Sequence, residues 1–537
     1  MRSVTFESRL AVGGAVFACA SLLILTSCSS NSSPPAVVGP LAGSSAPTIP
    51  GMPVTAAGTG AAPVGPTTPV GTGAAGSAVT TPPPGTGVAG GGATPPGGTP
   101  DVTQPPPPSM GMPTEVPTTP PGGSEWRMIG YDLGSTYNNT AEKKLTKDNA
   151  AQLKEIYTVD MGSNVYGAPL QIGDKMYLSG TNVRAIDAAS GTEIWKAAIP
   201  STSSLSFDNG ILYLNDDDGQ INALNAADGK PVWKMPADKQ RSDGSSSALV
   251  VGDLVLIGGS SGGAELGGGA FRGYMSALDK KTGAVKWTTY TVPEGAKGAS
   301  IWSSPSADLA AGVAYGGTGN NYGAPATDTS DAFIAFDLAT GVIKWKNQRV
   351  MNDTFGGGIG PDADFGANPV LFETMVNGTL TKVVAAGNKG GQAHAIKRDD
   401  GSMLWQRNLC GGAADGSQGV FVNSTWSGKN LIIACNEGGP ATLYGLDGAT
   451  GNIAWMRRLA GQVWGRISVA NGVGFVGTGT NLEAFDVDTG VMIKSFASKG
   501  GSVAGTISIA NGRVAFGEGM TWSTARAGRM VTVLALP

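Results

Sequence analysis

The chain has a single histidine, His394, in 537 residues. That scarcity excludes any centre built on several imidazoles, such as a three-His zinc site. A covalent c-type haem is excluded as well, because His394 sits in Gln392-Ala393-His394 with no cysteine before it. Charge is scarce too: 14% of residues are charged and the net charge is −4, which leaves no broad basic face for nucleic acid. Residues 29–124 contain no Lys or Arg, carry only Asp101 and Glu115 as charges, and hold 23 of the 34 prolines. Such a stretch cannot bury enough apolar surface to offset its chain entropy, so a disordered tether is expected there. Runs of spanning length are missing. The one marked apolar run, residues 10–25, follows Arg2 and Arg9 and precedes Leu25-Thr26-Ser27-Cys28. A charged start, a short apolar core and small residues before a cleavage point make a secretory signal rather than a spanning helix.

Leu25-Thr26-Ser27-Cys28 resembles the lipobox of bacterial lipoproteins. The resemblance implies that Cys28 becomes the lipidated first residue, with 1–28 removed or modified and 29–124 acting as a partly extended spacer. The expected location is therefore exported and lipid-anchored to the cell envelope, and Ser29 rather than Asp after the cysteine points to the outer membrane. The remaining part, 125–537, has 34 basic and 37 acidic side chains and is long enough for one large core. Cys19 leaves with the signal. Cys410 and Cys435 remain, an even pair in an exported domain, to be read as a disulfide or as two buried thiols.

One unit returns along 125–537. It reads Ala185-Ile186-Asp187, Ser190-Gly191, Trp195, then Ala223-Leu224-Asn225, Asp228-Gly229, Trp233. It recurs with Asp279, Thr282-Gly283 and Trp287, and with Asp337, Thr340-Gly341 and Trp345; weaker copies end at Trp405 and Trp455, and another at Phe496. Each is a strand, a tight turn and a strand ending in an aromatic, at a spacing that suits one four-stranded propeller blade. Upstream of each lies a Gly-containing turn with a β-branched strand, such as Val251-Gly252-Asp253-Leu254-Val255-Leu256-Ile257. Eight of these stand against seven complete turn-and-aromatic units. The eighth, at 510–516, is followed only by the closing strand at 530–536, and its outer strand can come from residues 153–159. The expectation is an all-β, eight-bladed propeller whose last blade is closed by strands from both ends of the domain, leaving no open edge.

These repeats resemble the tryptophan-docking motifs of the pyrroloquinoline quinone (PQQ) dehydrogenases. The likeness takes in Trp126-Arg127-Met128-Ile129-Gly130-Tyr131-Asp132 and Asn149-Ala150-Ala151-Gln152-Leu153-Lys154. Ile301-Trp302-Ser303-Ser304-Pro305, Gly317-Thr318-Gly319-Asn320-Asn321-Tyr322 and Asp362-Ala363-Asp364-Phe365-Gly366-Ala367-Asn368-Pro369 resemble the polyvinyl-alcohol-dehydrogenase-like branch. The resemblance implies alcohol oxidation by hydride transfer to PQQ, with a hard divalent cation polarising the quinone carbonyl and a carboxylate taking the hydroxyl proton.

Carried over residue by residue, Glu265 and Asn320 match the metal ligands. Oxygen donors of this kind suit calcium. Asp364 matches the general base, although Ala363 stands where the family has tryptophan, and Asp362 competes for the role because residues two apart on an extended segment point the same way. Lanthanide-binding relatives carry a further aspartate two residues after the base. Glycine at 366 therefore implies calcium if Asp364 is the base, and the question reopens if Asp362 is. Trp302 matches the floor beneath the PQQ ring, Lys389 the cation near the quinone oxygens, and Ser245 and Ser261 are candidates for contacts to the PQQ carboxylates. His394, on a blade strand, reads as structural.

Two functions follow. One is a lipid-anchored, PQQ- and calcium-dependent alcohol dehydrogenase acting on a small or polymeric alcohol. With no haem of its own, it would pass electrons to an external acceptor such as a separate cytochrome or a quinone. The other is a non-catalytic propeller lipoprotein that binds protein partners, as in outer-membrane protein assembly. The repeats and the lipobox suit both; Glu265, Asn320, Trp302 and Asp364 separate them.

Overall fold

A computed structural model describes residues 124–537 apart from 268, 357–359, 413–417 and 522–524. The signal, Cys28 and the tether up to residue 123 lie outside the described residues. Among the described residues the strands form eight sheets, each with four antiparallel strands; the eighth is composite, and the seventh gains a fifth, short strand, Asn138–Asn139, paired parallel with Ser468–Ala470. Blades 1 to 8 begin with the innermost strands Leu170–Ile172, Ser206–Asp208, Leu249–Val251, Ser306–Asp308, Val370–Val376, Thr425–Trp426, Ser468–Ala470 and Ser508–Ala510. In blade 8 the outermost strand is Lys154–Asp160, paired antiparallel with the C-terminal strand Met530–Ala535. The chain is an eight-bladed β-propeller closed by its two ends.

The repeated aromatic and the repeated glycine are two halves of one joint between blades. The indole N–H of Trp195 donates to the carbonyl of Ala226 in the next blade, and Trp233, Trp287, Trp345, Trp405 and Trp455 do the same to Lys280, Leu338, Arg398, Gly448 and Val487, at 2.9–3.1 Å. Tyr157 makes the corresponding bond from blade 8 to Ala188 in blade 1. Each ring lies flat on the turn glycine of the neighbouring blade. At Gly341, where φ is +75°, an added Cβ would sit 2.5 Å from Trp287. Gly341→Ala should therefore combine a left-handed backbone penalty with overpacking and cost about 2–4 kcal/mol. The urea midpoint measures it, and an unchanged midpoint would show that the turn does not bear on Trp287.

The innermost strands face the central channel with unpaired backbone groups, and the N-terminal segment supplies partners at one end. The central N–H groups of six inner strands, those of Gln171, Phe207, Ala307, Leu371, Trp426 and Val469, donate to the carbonyls of Trp126, Arg127, Leu133, Gly134, Thr136 and Tyr137, at 2.8–3.1 Å. Residues 126–137 thus ring the channel end near the turns between first and second strands, answering the edge demand of isolated inner strands. Trp126, Tyr131 and Tyr137 are buried in doing so. At the other end, a second set of bonds steps round the axis. Ser204, Ser247, Ser304 and Asn368 accept, through their side chains, from the backbone N–H of Ala168, Ser204, Ser247 and Ser304. That ring fixes the connections that enter each blade at this end, which include those carrying Trp302 and Asp364.

Candidate active site

In an antiparallel blade, the link into the first strand and the turn between second and third strands lie on the same face. The residues singled out by resemblance occupy only such positions, on blades 3 to 5. Glu265 lies on the short helix Gly262–Gly267, after the second strand of blade 3. Asn320 follows Val313–Gly317 of blade 4, and Lys389 follows Thr379–Gly387 of blade 5. Trp302 and the pair Asp362 and Asp364 precede the innermost strands of blades 4 and 5.

The side chains converge. The ammonium of Lys389 is 2.8 Å from both Asp362 Oδ1 and Asp364 Oδ1, and 5.1 Å from the Trp302 ring centroid. Toward Asp362 the geometry is that of a hydrogen bond. Toward Asp364 it is an ion pair only, so Asp364 Oδ1 is buried without a hydrogen bond among the described residues, while Oδ2 accepts the Trp302 indole N–H. Burial works against the Lys389 ammonium, but Asp364, Asp362 and Glu265 together outweigh it and raise its pKa. Asp364 Oδ2 also packs against Gly319, where an added Cβ would come within 3.0 Å. The Trp302 ring rests on Gly366, where a Cβ would be 2.1 Å from the indole, and the residue as a whole is half-buried. A carboxylate at 366 would collide with that ring.

Asn320 is buried and oriented. Its amide nitrogen donates to the carbonyls of Asn321 and Phe355, which leaves Oδ1 buried with no partner among the described residues. Its side chain also interacts with the Glu265 carboxylate, whose pKa burial and then the charge of Asp364 push up to about 7, against Lys389 and Asn320. Two carboxylates and an orphaned carboxamide oxygen in a buried corner form a donor set for a hard divalent cation. Among the described residues no three His, Cys, Asp or Glu side chains make a metal cage. The set here depends on Asn320, which is outside that class of ligand.

The remaining candidates have other partners. The Ser245 hydroxyl is exposed and donates to Asp243, and Ser261 Oγ accepts from the Ala264 N–H at the start of the Glu265 helix. Cys410 and Cys435 are bonded, with Cα atoms 6.3 Å apart. His394 is buried against Phe365, ring centroids 5.6 Å apart, and burial pushes its pKa down to about 3, so the imidazole is neutral. Sequence reasoning missed Asp353. This buried carboxylate accepts the backbone N–H of Phe355 at 3.1 Å and of Ala363 at 2.8 Å, and its own carbonyl accepts from Asn321. It thereby ties the residue between Asp362 and Asp364, where Asp362 itself sits at φ +47°, to the carbonyl that orients Asn320. The only signal was Asp353-Thr354-Phe355, an ordinary turn pattern. Asp331 was missed as well. Both of its oxygens are buried without a hydrogen bond among the described residues, and burial, followed by the charges of Asp353 and Asp364, raises its pKa well above its ordinary value.

Two family profiles match the chain. One, described as glucose/ethanol/alcohol dehydrogenase, beta-propeller domain, spans residues 236–408. The other, described as outer membrane protein assembly factor BamB, spans 117–302 and 389–535. The first contains Glu265, Trp302, Asn320, Asp362, Asp364 and Lys389; the second passes over the segment that holds Asn320, Asp353, Asp362 and Asp364. A polyvinylalcohol dehydrogenase from Sphingopyxis sp. (strain 113P3) is 27% identical over 397 residues, covering 61% of this chain and 60% of that protein. The chain thus spans about three fifths of that relative's length. Quinohemoprotein alcohol dehydrogenase from Comamonas testosteroni shares the fold with a TM-score of 0.63 at 19% identity, covering 77% of this chain and 80% of that one. BamB from Moraxella catarrhalis follows with 0.51 at 17% identity, covering 71% and 99%. The longer profile covers more than half of the chain, so the chain belongs to the PQQ-repeat propeller family that this profile describes, and over 236–408 it is similar to the glucose/ethanol/alcohol dehydrogenase propeller domain.

Proposed function

We propose that the protein oxidises an alcohol, small or polymeric, as a PQQ-dependent dehydrogenase. The observation that carries this reading is the convergence of Glu265, orphaned Asn320 Oδ1, Trp302, Asp364 and Lys389 at one end of the channel. When bound, PQQ would supply an electrophilic carbonyl that accepts hydride, and a divalent cation would polarise that carbonyl. Glu265 and Asn320 would hold the cation, with Asp364 beside them. Trp302 would carry the flat ring against its indole. Asp364 would take the alcohol's hydroxyl proton at Oδ1, the oxygen left without a hydrogen bond. Lys389 pairs with both aspartates and places positive charge beside the oxygens that gain electron density. Calcium is the cation this set favours, because Gly366 leaves no room for a further carboxylate. Electrons would leave to an external cytochrome or quinone.

Reconstitution tests the reading. The chain from Glu125, mixed with PQQ and Ca²⁺, should bind the quinone by absorbance and reduce an artificial dye with primary, secondary or polymeric alcohols. Absence of PQQ binding would end it and favour the protein-binding scaffold, for which the long profile match to the assembly factor speaks. Cys28 would anchor the protein to the envelope, in the outer membrane, through the tether. Cys28→Ser should then move it from the membrane fraction to the soluble fraction.

The cation also predicts a pH dependence of stability. Glu265 and Asp362 both have pKa values raised above their ordinary 4.5 and 3.8, the first to about 7, by burial and by Asp364. The cation-free folded state therefore binds more protons than the unfolded chain, and stability falls as pH rises from about 4 through 8. Without cation, Tm should drop by a few degrees between pH 5 and pH 8. Added Ca²⁺ should restore more at pH 8 than at pH 5, and equal restoration at both would remove Glu265 from the cation's ligands.

A further inference from the structure

The turn that carries Lys389 is flanked by residues 409–412 and 418–420, which lead out of blade 5 and into blade 6. On the incoming side, the N–H groups of Leu409 and Cys410 both donate to the carbonyl of Gly391, at 2.9 and 3.2 Å. On the outgoing side, the Val420 N–H donates to the carbonyl of Asn388, at 2.9 Å. Between these bonds the Lys389 carbonyl is gripped from two directions. A Cβ on Gly412 would lie 2.4 Å from it and one on Gly419 only 1.9 Å, so neither position accepts a side chain while the other holds its place. The backbone of Lys389 reaches the base segment directly, its N–H donating to the carbonyl of Asp364 at 3.0 Å.

Both flanks are fastened at one point, the consecutive residues Cys435 and Asn436 at the end of the second strand of blade 6. The incoming flank is tied covalently through Cys410–Cys435. The outgoing flank is tied by a pair of backbone bonds, Gly419 N–H to Asn436 carbonyl and Asn436 N–H to Gly419 carbonyl, each 2.9 Å. Asn436 is itself clamped to Val463 by two further bonds from its side chain. The incoming flank is thus held to blade 6 by a bond that a reductant can break and by one hydrogen bond, from the Tyr444 hydroxyl to the Leu409 carbonyl at 3.0 Å, whereas the outgoing flank is held by bonds a reductant cannot break. Cys435 is buried but Cys410 is half-exposed, so a small dithiol can reach the bridge from the Cys410 side.

We propose that the Cys410–Cys435 bridge is a positioning bond for Lys389: it keeps the incoming flank against the Lys389 turn and so sets where the ammonium lies between Asp362 and Asp364. Breaking it requires two electrons and two protons from a dithiol, which becomes the cyclic disulfide while Cys410 and Cys435 become thiols. Released at Cys410, the flank retains its hydrogen bonds to Gly391 and the one that the Leu409 carbonyl accepts from the Tyr444 hydroxyl, and the Lys389 turn loses its covalent wall. The consequence for turnover rests on the function proposed above; the consequence for Lys389 does not.

The test uses the full chain with an amine-acylating reagent and no cofactor. Protein is compared as purified, after dithiothreitol followed by iodoacetamide, and as the C410S/C435S variant, with the acylation rate of the Lys389 peptide read by mass spectrometry. A buried amine reacts only through local opening, so the rate at Lys389 should rise about tenfold when the bridge is open. Exposed Lys239 and Lys281 should label at unchanged rates in all samples. An unchanged Lys389 rate in protein whose two thiols are shown to be alkylated, and whose near-UV circular dichroism remains native, overturns the proposal. Should the variant fail to fold, the reduced and alkylated wild type decides; should the bridge resist dithiothreitol, the folded variant decides. PQQ binding is scored separately by absorbance. A protein that binds PQQ but labels identically with the bridge open or closed loses only this proposal, and one that labels faster but never binds PQQ loses only the function.

Discussion

Asp364→Asn is expected to lower kcat by about a hundred- to ten-thousand-fold, the usual contribution of a positioned general base, while PQQ still binds. Asp362→Asn should cost only about 10- to 150-fold, the equivalent of one charged hydrogen bond of roughly 1.5–3 kcal/mol. The difference comes from what each carboxylate already does. Asp362 Oδ1 is committed to a hydrogen bond from Lys389. Asp364 packs against the residue next to Asn320, raises the pKa of Glu265 by its charge, and keeps Oδ1 without a hydrogen bond. It therefore stands where a hydroxyl held near the cation would present its proton. Dye-linked turnover at saturating alcohol separates the two variants. A reversed order would make Asp362 the base and place Asp364 two residues after it, which would reopen the choice between calcium and a lanthanide. Equal losses would mean that the two acids share one proton, and the assignment of a single base would fail.

What could be read in the sequence follows from how locally each feature is determined. The blade joint repeats at short range, because every blade needs an aromatic N–H donor and a turn glycine without a side chain beneath the next ring; both leave a periodic trace. Closure by 154–160 was legible for a related reason, since one blade lacked an outer strand and one strand lacked a blade. The ring formed by residues 126–137 was not legible. Its carbonyls meet inner strands scattered from Gln171 to Val469, and nothing in Trp126-Arg127-Met128 specifies those partners. The site divides in the same way. Glu265, Asn320, Trp302, Asp364 and Lys389 came from resemblance, not from any pattern that physical reasoning alone would single out. Ser245 and Ser261 show local partners that resemblance does not specify: the first hydroxyl donates to Asp243 and the second accepts the Ala264 N–H at a helix start. Asp353 escaped because an aspartate two residues before an aromatic is a common turn, and its second partner, Ala363, is ten residues away.

Asp353 also gives the sharpest test of whether the site is preorganised. Asp353→Ala would leave the N–H groups of Phe355 and Ala363 without their acceptors inside the protein, at about 1–3 kcal/mol each. Phe355 would then no longer hold its carbonyl to Asn320, and Ala363 would no longer fix the two aspartates beside it. Supports of this kind around a metal's ligands typically contribute 10- to 100-fold in metal affinity, and that is the loss expected when the PQQ-free protein is titrated with Ca²⁺ by calorimetry. Asp353→Asn should fall between, since it keeps one acceptor and turns an amide toward the other N–H. The two substitutions also separate positioning from chemistry. Saturating Ca²⁺ should recover most of the turnover of Asp353→Asn, because the defect is in holding the cation. It should recover none in Asp364→Asn, because the proton acceptor itself is gone. If Asp353→Asn lowers the urea midpoint but binds Ca²⁺ as tightly as the wild type, Asp353 stabilises the loop without orienting Asn320. The cation's donor set would then have to be held in place by Glu265 and the blade 4 turn alone.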